Sequence, residues 1–182
     1  PARLQAASQA NAVPPGRPPA HSSARVSDHS RDAVGEPRDV LVVVSTGGRP
    51  VADLPGPLPQ NVRVAPYLPY DRLLPRIDVM VSNGGYGGVQ QALAQGVPLV
   101  VAGRTEDKVE VCARVGWSGA GVDLRTNSPA PAAVADAVHR VLADAAYPDR
   151  ARALAQAFAA APGLLGLDDV LARLVPAHAA RT

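Results

Sequence analysis

The chain has 182 residues, enough for one domain with a substantial core, alone or with an extension. Hydrophobic residues make up 47% of it but aromatic residues only 3%, so the core must consist mainly of aliphatic side chains. The formal net charge is +2 with no run of Lys or Arg, which argues against a nucleic-acid partner because such partners require a clustered basic face.

Cys112 is the only cysteine, so the sequence excludes an internal disulfide and a paired-thiol zinc or redox motif. It falls on the apolar side of a predicted helix, where we expect a packed core thiol. The histidines lack metal-ligand spacing. No apolar run approaches the ~20 residues of a membrane span, and the first residues lack the regions of a secretory signal. The sequence therefore predicts a cytoplasmic protein with no membrane span and no metal.

Residues 1–38 differ in composition from the remainder. They carry prolines at positions 14, 15, 18 and 19 and few branched aliphatic side chains. Such a segment buries too little apolar area to offset its ordering entropy. We predict a disordered tail or linker here, with a displaced helix around residues 2–10 as the alternative.

Apolar runs of strand length recur from residue 39 onward and alternate with helical patterns. The runs are 39–45, 61–66, 77–82, 97–102 and about 121–124, and the helical patterns are 87–95 and 106–115. This alternation predicts βαβ units and a parallel sheet flanked by helices, an α/β Rossmann-like fold.

The last third of the sequence is helical in pattern. Ser128 and Pro129 form a plausible N-cap and first-position pair. A second helix is expected at about 148–160, and Gly163 and Gly166 should end it before a final amphipathic helix near 167–175. We assign residues 39–176 to the one folded domain.

The most informative segment is 77–101, in which a buried strand runs into a glycine-rich turn and then a helix. Glycines at 84, 85, 87 and 88 surround Tyr86. Tyr86 is therefore the one residue of this five-residue turn that has a Cβ. Bare N–H groups and the positive end of the following helix together favour an anion such as a diphosphate. A tight turn without a ligand is the alternative, although four glycines exceed what a turn requires.

Other nucleotide and nucleophile motifs are absent from the sequence. It contains no G-x-x-x-x-G-K-[ST] phosphate loop, and GGYGG does not satisfy the G-x-G-x-x-G dinucleotide fingerprint. The GWSG at 116–119 lacks one spacer residue of a G-x-S-x-G nucleophile elbow.

The glycine turn and the segments after it follow the spacing of a known signature, His-Gly-Gly-x-Gly-Ser/Thr, Glu-Ala-Leu, Gly-Val-Pro and Asp-Gln. At these positions the chain has Asn83, Gly84, Gly85, Tyr86, Gly87, Gly88, then Gln91, Ala92, Leu93, then Gly96, Val97, Pro98, and Asp107, Lys108. Residues 40–160 thereby resemble the donor-binding half of GT-B glycosyltransferases. The family includes macrolide and other antibiotic glycosyltransferases and the UDP-glycosyltransferases.

The resemblance implies a nucleotide-diphosphate sugar, such as a UDP- or dTDP-sugar, as donor, with its diphosphate at the helix that follows the glycines. It implies that Tyr67 stacks on the base while backbone atoms of Leu68 read its edge. It further implies that Gln91 accepts ribose hydroxyls and that Asp107 and Lys108 meet the sugar.

The same residues also have readings that involve no ligand. Tyr67 is equally well an ordinary half-buried aromatic side chain, and Asp107 a first-turn helix charge with Thr105 as N-cap. Lys108 is equally well a solvated surface residue. Asn83 replaces the usual His, which keeps a hydrogen-bond donor but removes the capacity for positive charge.

The implied activity is transfer of a hexose to the hydroxyl of a small lipophilic acceptor, without a metal or other cofactor. The chain is too short for both GT-B domains, so we expect it to be incomplete and to transfer sugar poorly or not at all by itself. By the same resemblance, we expect the first strand and helix of the donor half to be missing. The alternatives are a half-enzyme that acts with a separate acceptor-domain chain, and a non-catalytic nucleotide-sugar-binding remnant.

Overall fold

A computed structural model of the protein describes residues 3–7, 40–54 and 56–174. Its strands are β1 (Arg3–Ala7), β2 (Val40–Ser45), β3 (Val62–Ala65), β4 (Val79–Ser82), β5 (Leu99–Val101) and β6 (Gly121–Asp123). They form one sheet in the order β3-β2-β1-β4-β5-β6, and every recorded strand pair is parallel. The predicted parallel α/β fold is therefore confirmed.

The helices lie between and after these strands. They are α1 (Tyr70–Leu73), α2 (Tyr86–Ala94), α3 (Lys108–Ser118), α4 (Pro131–Ala143), α5 (Ala146–Ala160) and α6 (Gly163–Leu174). Short 3-10 turns span Val51–Asp53 and Leu74–Arg76.

Alternate strand residues build two separate cores. Val79 and Val100 are buried on the face that packs against α4. Their neighbours Met80 and Leu99 are buried on the opposite face, together with side chains of α2 and α3. Strand side chains alternate between the faces of a sheet, so these continuous apolar runs supply both layers of a sheet that is covered on each side.

The prediction of a disordered segment over residues 1–38 is wrong for residues 3–7, and so is the prediction that the first strand is missing. This segment is β1, at the centre of the sheet, where Arg3 pairs with Val40 and Gln5 with Val79. Its sequence, RLQAA, lacks the β-branched run that signals a buried strand. Backbone bonding to a neighbour on each side holds such a strand regardless of its own pattern. Residues 8–38 lie outside the described residues.

Three helix ends differ from the predictions. Helix α4 begins at Pro131, not Pro129, because Ser128 is used in a turn where its N–H donates to Thr126 Oγ1 at 3.1 Å. Helix α3 has Asp107, not Thr105, at its N-cap position. Gly166 lies inside α6 and does not interrupt it. These shifts of a few residues leave the order of elements unchanged.

The parallel arrangement brings the carboxyl ends of all the strands to one edge of the sheet. The strand order reverses between β1 and β4, because the chain moves outward from β1 through β2 to β3 and then returns to the other side of β1. In open α/β sheets, the crevice at such a reversal is where ligands bind. The glycine turn follows β4 and therefore lies at this point.

Candidate functional site

The exit of β4 is a turn whose first glycine is required by geometry. Gly84 has φ +78°, a left-handed conformation that favours glycine. Its N–H donates to the buried Ser82 Oγ at 3.2 Å. A Cβ on Gly84 would overlap Cys112 Sγ of α3. Gly84 is thus explained by the turn and its packing, without a ligand.

Asn83 shapes the turn through its side chain. The Gly85 N–H donates to Asn83 Oδ1 at 3.1 Å. The amide oxygen of Asn83 is therefore turned toward Gly85, and its Nδ2 donors are turned away. The side chain is exposed at the sheet edge, so its Nδ2 donors, although uncharged, are not buried.

The N-terminus of α2 offers further donors. Gly85 is the N-cap residue without a side-chain cap, and the first helical bond runs from Val89 N–H to Gly85 O at 3.1 Å. The N–H groups of Tyr86, Gly87 and Gly88 have no acceptor in the described part of the chain, as expected for a first helical turn. A Cβ on Gly87 would meet nothing within 4 Å. Open space therefore lies over a helix N-terminus with free donors, an arrangement that binds anions.

Gly103, in the loop after β5, joins this turn to α3. A Cβ on Gly103 would overlap the Asn83 carbonyl oxygen and would lie 3.0 Å from Lys108 Cβ and 3.2 Å from Lys108 Cδ. Asn83, Gly103 and the stem of Lys108 are therefore in contiguous contact. Gly103 was not among the predicted site residues. A glycine directly after the β5 strand run was the available signal.

Lys108 is the first residue of α3, and Glu106 and Asp107 directly precede it. The Lys108 Nζ donates to the Glu106 carboxylate, and only 17% of the Lys108 side chain is exposed. This ion pair lowers the pKa of Glu106 below its usual value. Asp107 is exposed, and its side chain makes no cap hydrogen bond. The structure thus places Lys108 next to the glycine turn, already paired with Glu106, and the contact of Asp107 and Lys108 with a sugar stays a prediction.

Tyr67 and Leu68 lie farther along the same edge, after β3. The Tyr67 ring is 66% exposed and packs over Gly48, where a Cβ would lie 2.9 Å from Tyr67 Cζ. The Gly48 N–H donates to Pro66 O at 2.9 Å, which ties this loop to the end of β2. Leu68 is half-buried. Since β3 and β4 are three strand spacings apart in the sheet order, the end of β3 lies about 14 Å from the end of β4 along the edge.

Gln91 lies in the middle of α2 with its side chain exposed. Tyr86 opens the same helix and is 60% exposed. The structure therefore brings Asn83, Tyr86 and Lys108 to one place, whereas Tyr67 and Leu68 form a separate group at the same edge.

Cys112 lies beneath the glycine turn and is fully buried, which confirms the expected core thiol. Desolvation, assisted by the negative charge of Asp123, raises the pKa of Cys112 to about 11. The thiol is therefore protonated at neutral pH and acts as packing beneath Gly84.

No three His, Cys, Asp or Glu side chains among the described residues are grouped so as to hold a metal ion. In the same part of the chain, no helix is both long and apolar enough to cross a bilayer.

A comparison with protein families matches residues 32–172 to the erythromycin biosynthesis protein CIII-like C-terminal domain. Among curated relatives, 4'-demethylrebeccamycin synthase of Lentzea aerocolonigenes is 46% identical over 137 residues, which cover 75% of this chain and 32% of the relative. UDP-glycosyltransferase 2 of Phaeomoniella chlamydospora is 43% identical over 120 residues, 66% of this chain and 26% of the relative.

Solved structures extend the similarity to nearly the whole chain. The calicheamicin glycosyltransferase CalG4 is 27% identical with a TM-score of 0.77, covering 96% of this chain and 45% of that protein. The kitacinnamycin glycotransferase is 25% identical with a TM-score of 0.78, covering 96% and 44%. The glycosyltransferase VinC, solved in complex with dTDP, shares the fold at 23% identity and a TM-score of 0.75, covering 94% of this chain and 41% of that protein. The chain thus spans about a third or less of these curated relatives and under half of these solved proteins.

Proposed function

Because this chain belongs to the family of erythromycin biosynthesis protein CIII-like C-terminal domains, we propose that it is the nucleotide-sugar-binding half of a GT-B glycosyltransferase. The observation that carries the proposal is the N-terminus of α2. Within the described residues its first N–H groups have no acceptor, and a Cβ on Gly87 would meet nothing within 4 Å, at the point where the strand order reverses. A diphosphate placed there meets a helix dipole and the amide donors of Asn83.

With the diphosphate at this position, the backbone donors of α2 contribute to catalysis electrostatically. In hexose transfer, the acceptor oxygen bonds to the anomeric carbon as the bond from that carbon to the phosphate oxygen breaks. Negative charge then grows on the departing nucleoside diphosphate. Fixed backbone donors at the start of α2 stabilise that charge more in the transition state than in the ground state.

The other site residues are proposed to hold the remaining parts of the donor. The exposed ring of Tyr67 offers a flat apolar face for the base, and Leu68 supplies backbone atoms to its edge. Gln91 is proposed for the ribose hydroxyls and Asp107 for the sugar hydroxyls, since both side chains are exposed. The similarity to UDP-glycosyltransferase 2 and to VinC, which was solved with dTDP, supports a pyrimidine nucleoside diphosphate.

The acceptor and the base that removes its proton are proposed to come from a second domain. The chain covers only 32% of 4'-demethylrebeccamycin synthase and 45% of CalG4, so a large part of such enzymes is not represented in it. That part can belong to a longer polypeptide or to a separate partner chain, and a small lipophilic acceptor is proposed for it. Alone, the chain is expected to bind donor but not to transfer sugar efficiently.

The test measures nucleotide binding in two ways, by the thermal stability of the protein with and without nucleotide and by calorimetric titration. We expect UDP or dTDP at 100 times its Kd to stabilise the fold by roughly 2.7 kcal/mol. Uridine and thymidine, which lack the phosphates, serve as matched controls and should bind more weakly. If no pyrimidine nucleoside diphosphate produces a thermal shift or a calorimetric signal, the proposal fails.

A further inference from the structure

Lys108 has surroundings that set it apart from the other cationic side chains. It is the only lysine in the sequence. Its stem packs over Gly103, which in turn contacts the carbonyl of Asn83, and its own carbonyl oxygen lies 3.8 Å from the Cβ position of Gly84. Lys108 is therefore next to the glycine turn through its backbone, while its side chain packs against Gly103, which borders Asn83.

The glycine turn by itself has no full positive charge to balance a bound diphosphate. The donors of the turn are backbone N–H groups and the neutral amide of Asn83, none of which carries a full charge. A diphosphate brings full negative charges. Charge-assisted hydrogen bonds are about twice as strong as neutral ones, so a nearby ammonium adds what the backbone donors cannot.

In the structure, the Lys108 ammonium is paired with the carboxylate of Glu106. The carboxylate is 76% exposed, and Glu106 adopts φ +56°, a conformation that is uncommon for residues other than glycine. An ion pair to a solvent-exposed carboxylate contributes little, because water screens its charge. A diphosphate, with more charge and more acceptor oxygens, can therefore replace this carboxylate.

We infer that Lys108 is the charge partner of the donor diphosphate, and that Glu106 is its counter-ion until the donor displaces it. The inference rests on the proposed function and refines it, because the resemblance alone implied a contact with sugar hydroxyls. An ammonium is a compact point charge. Its attraction to a phosphate is ion with ion, whereas a hydroxyl offers only a dipole.

The first experiment measures how much of the binding depends on the phosphates. We expect Lys108→Gln to weaken UDP about tenfold, the loss of one charge-assisted hydrogen bond, and to reduce the salt dependence of binding. Uridine affinity should not change. Glu106→Gln, which frees the ammonium, should tighten UDP about threefold, as expected for removing one exposed ion pair.

A matched control is available on the same helix. Arg114 pairs with Glu110 through Nη2 and Oε1 at 2.5 Å, with 76% and 70% of their side chains exposed. Arg114→Gln removes the same charge and breaks an ion pair to a Glu, in this case a solvent-exposed one, about 9 Å farther along α3. It should leave UDP affinity unchanged, and thermal melting of all three variants verifies that they fold.

A second experiment observes the side chain directly. Reductive methylation with ¹³C-formaldehyde labels Lys108 as the only side-chain amine of this sequence, and the signal that Lys108→Gln lacks is assigned to it. Saturating UDP should shift this signal, and uridine should not. In Glu106→Gln the signal should differ before any ligand is added.

The outcomes distinguish a failure of the proposed function from a failure of the role inferred for Lys108. If the unmutated protein binds neither UDP nor dTDP, the proposed function itself fails. If it binds UDP but the Lys108 signal does not move and Lys108→Gln retains full UDP affinity, only the role of Lys108 is overturned. Loss of affinity for UDP-hexose alone would assign Lys108 to the sugar instead.

Discussion

The substitution Gly87→Ala separates stability from ligand binding. Gly87 is the second residue of α2, its φ is not positive, and a Cβ there would meet nothing within 4 Å. Alanine in a helix is favoured over glycine by up to about 1 kcal/mol. For a domain of this size we expect Tm to rise by roughly 2–4 °C at most.

The same methyl group should impair binding. It would occupy the open space that a phosphate must enter to accept from the Gly87 and Gly88 N–H groups at about 2.9 Å. Losing one charge-assisted hydrogen bond costs about 1.5–3 kcal/mol. Affinity for UDP or dTDP should therefore fall roughly 10- to 100-fold, while the affinity for the nucleoside alone stays the same.

Calorimetric titration with UDP, dTDP and uridine, together with melts of the free protein, measures both effects. Gly116→Ala in α3 is the matched control, since its Cβ would make ordinary contact with Asp123 Cβ at 3.4 Å, away from the glycine turn. It should not alter nucleotide binding. A folded Gly87→Ala protein that binds UDP as tightly as the parent would show that the phosphates lie elsewhere.

Three further substitutions probe the turn and the thiol beneath it. Asn83→Asp keeps an acceptor for the Gly85 N–H but faces the diphosphate with a negative charge, so calorimetry should show UDP binding at least about tenfold weaker; equal affinity would contradict the assigned contact. Gly103→Ala should lower the free energy of unfolding in urea by about 1–3 kcal/mol, because the new Cβ overlaps the Asn83 carbonyl; an unchanged midpoint would argue against this packing. Stability should fall as pH rises from 9.0 toward about 11, since the unfolded chain releases the Cys112 proton first; Cys112→Ala should lack that slope in urea titrations across this range, and an equal slope would assign it to another group.

Most strands and helices could be predicted from the sequence, because each has the hydrophobic pattern that is typical of its own type. In the run IDVMVS, residues 79–81 are apolar at successive positions, as a strand covered on both faces requires, and the run contains β4. The run beginning at Val97 likewise contains β5. The first strand, Arg3–Ala7, was missed because its place in the sheet depends on the strands on either side and not on its own residues.

The site was predictable in its residue types but not in its contacts. Four clustered glycines indicated an anion site, yet only the structure distinguishes Gly84, held by a left-handed turn and Cys112, from Gly87, which borders open space. It also shows that the Gly85 N–H is already bonded to Asn83. Fewer backbone donors are free than the sequence suggested.

By itself, the sequence determined the parallel α/β class, the position of the glycine turn between β4 and α2, and the resemblance to a donor-binding domain. These follow from local periodicity and from residues close together in the chain. The tertiary structure alone decided that Arg3–Ala7 completes the sheet, that Gly103 links Asn83 to Lys108, and that Lys108 is paired with Glu106. The first two bring together residues far apart in the chain, and the third depends on which way a side chain turns, so none can be read from hydrophobic pattern or residue type.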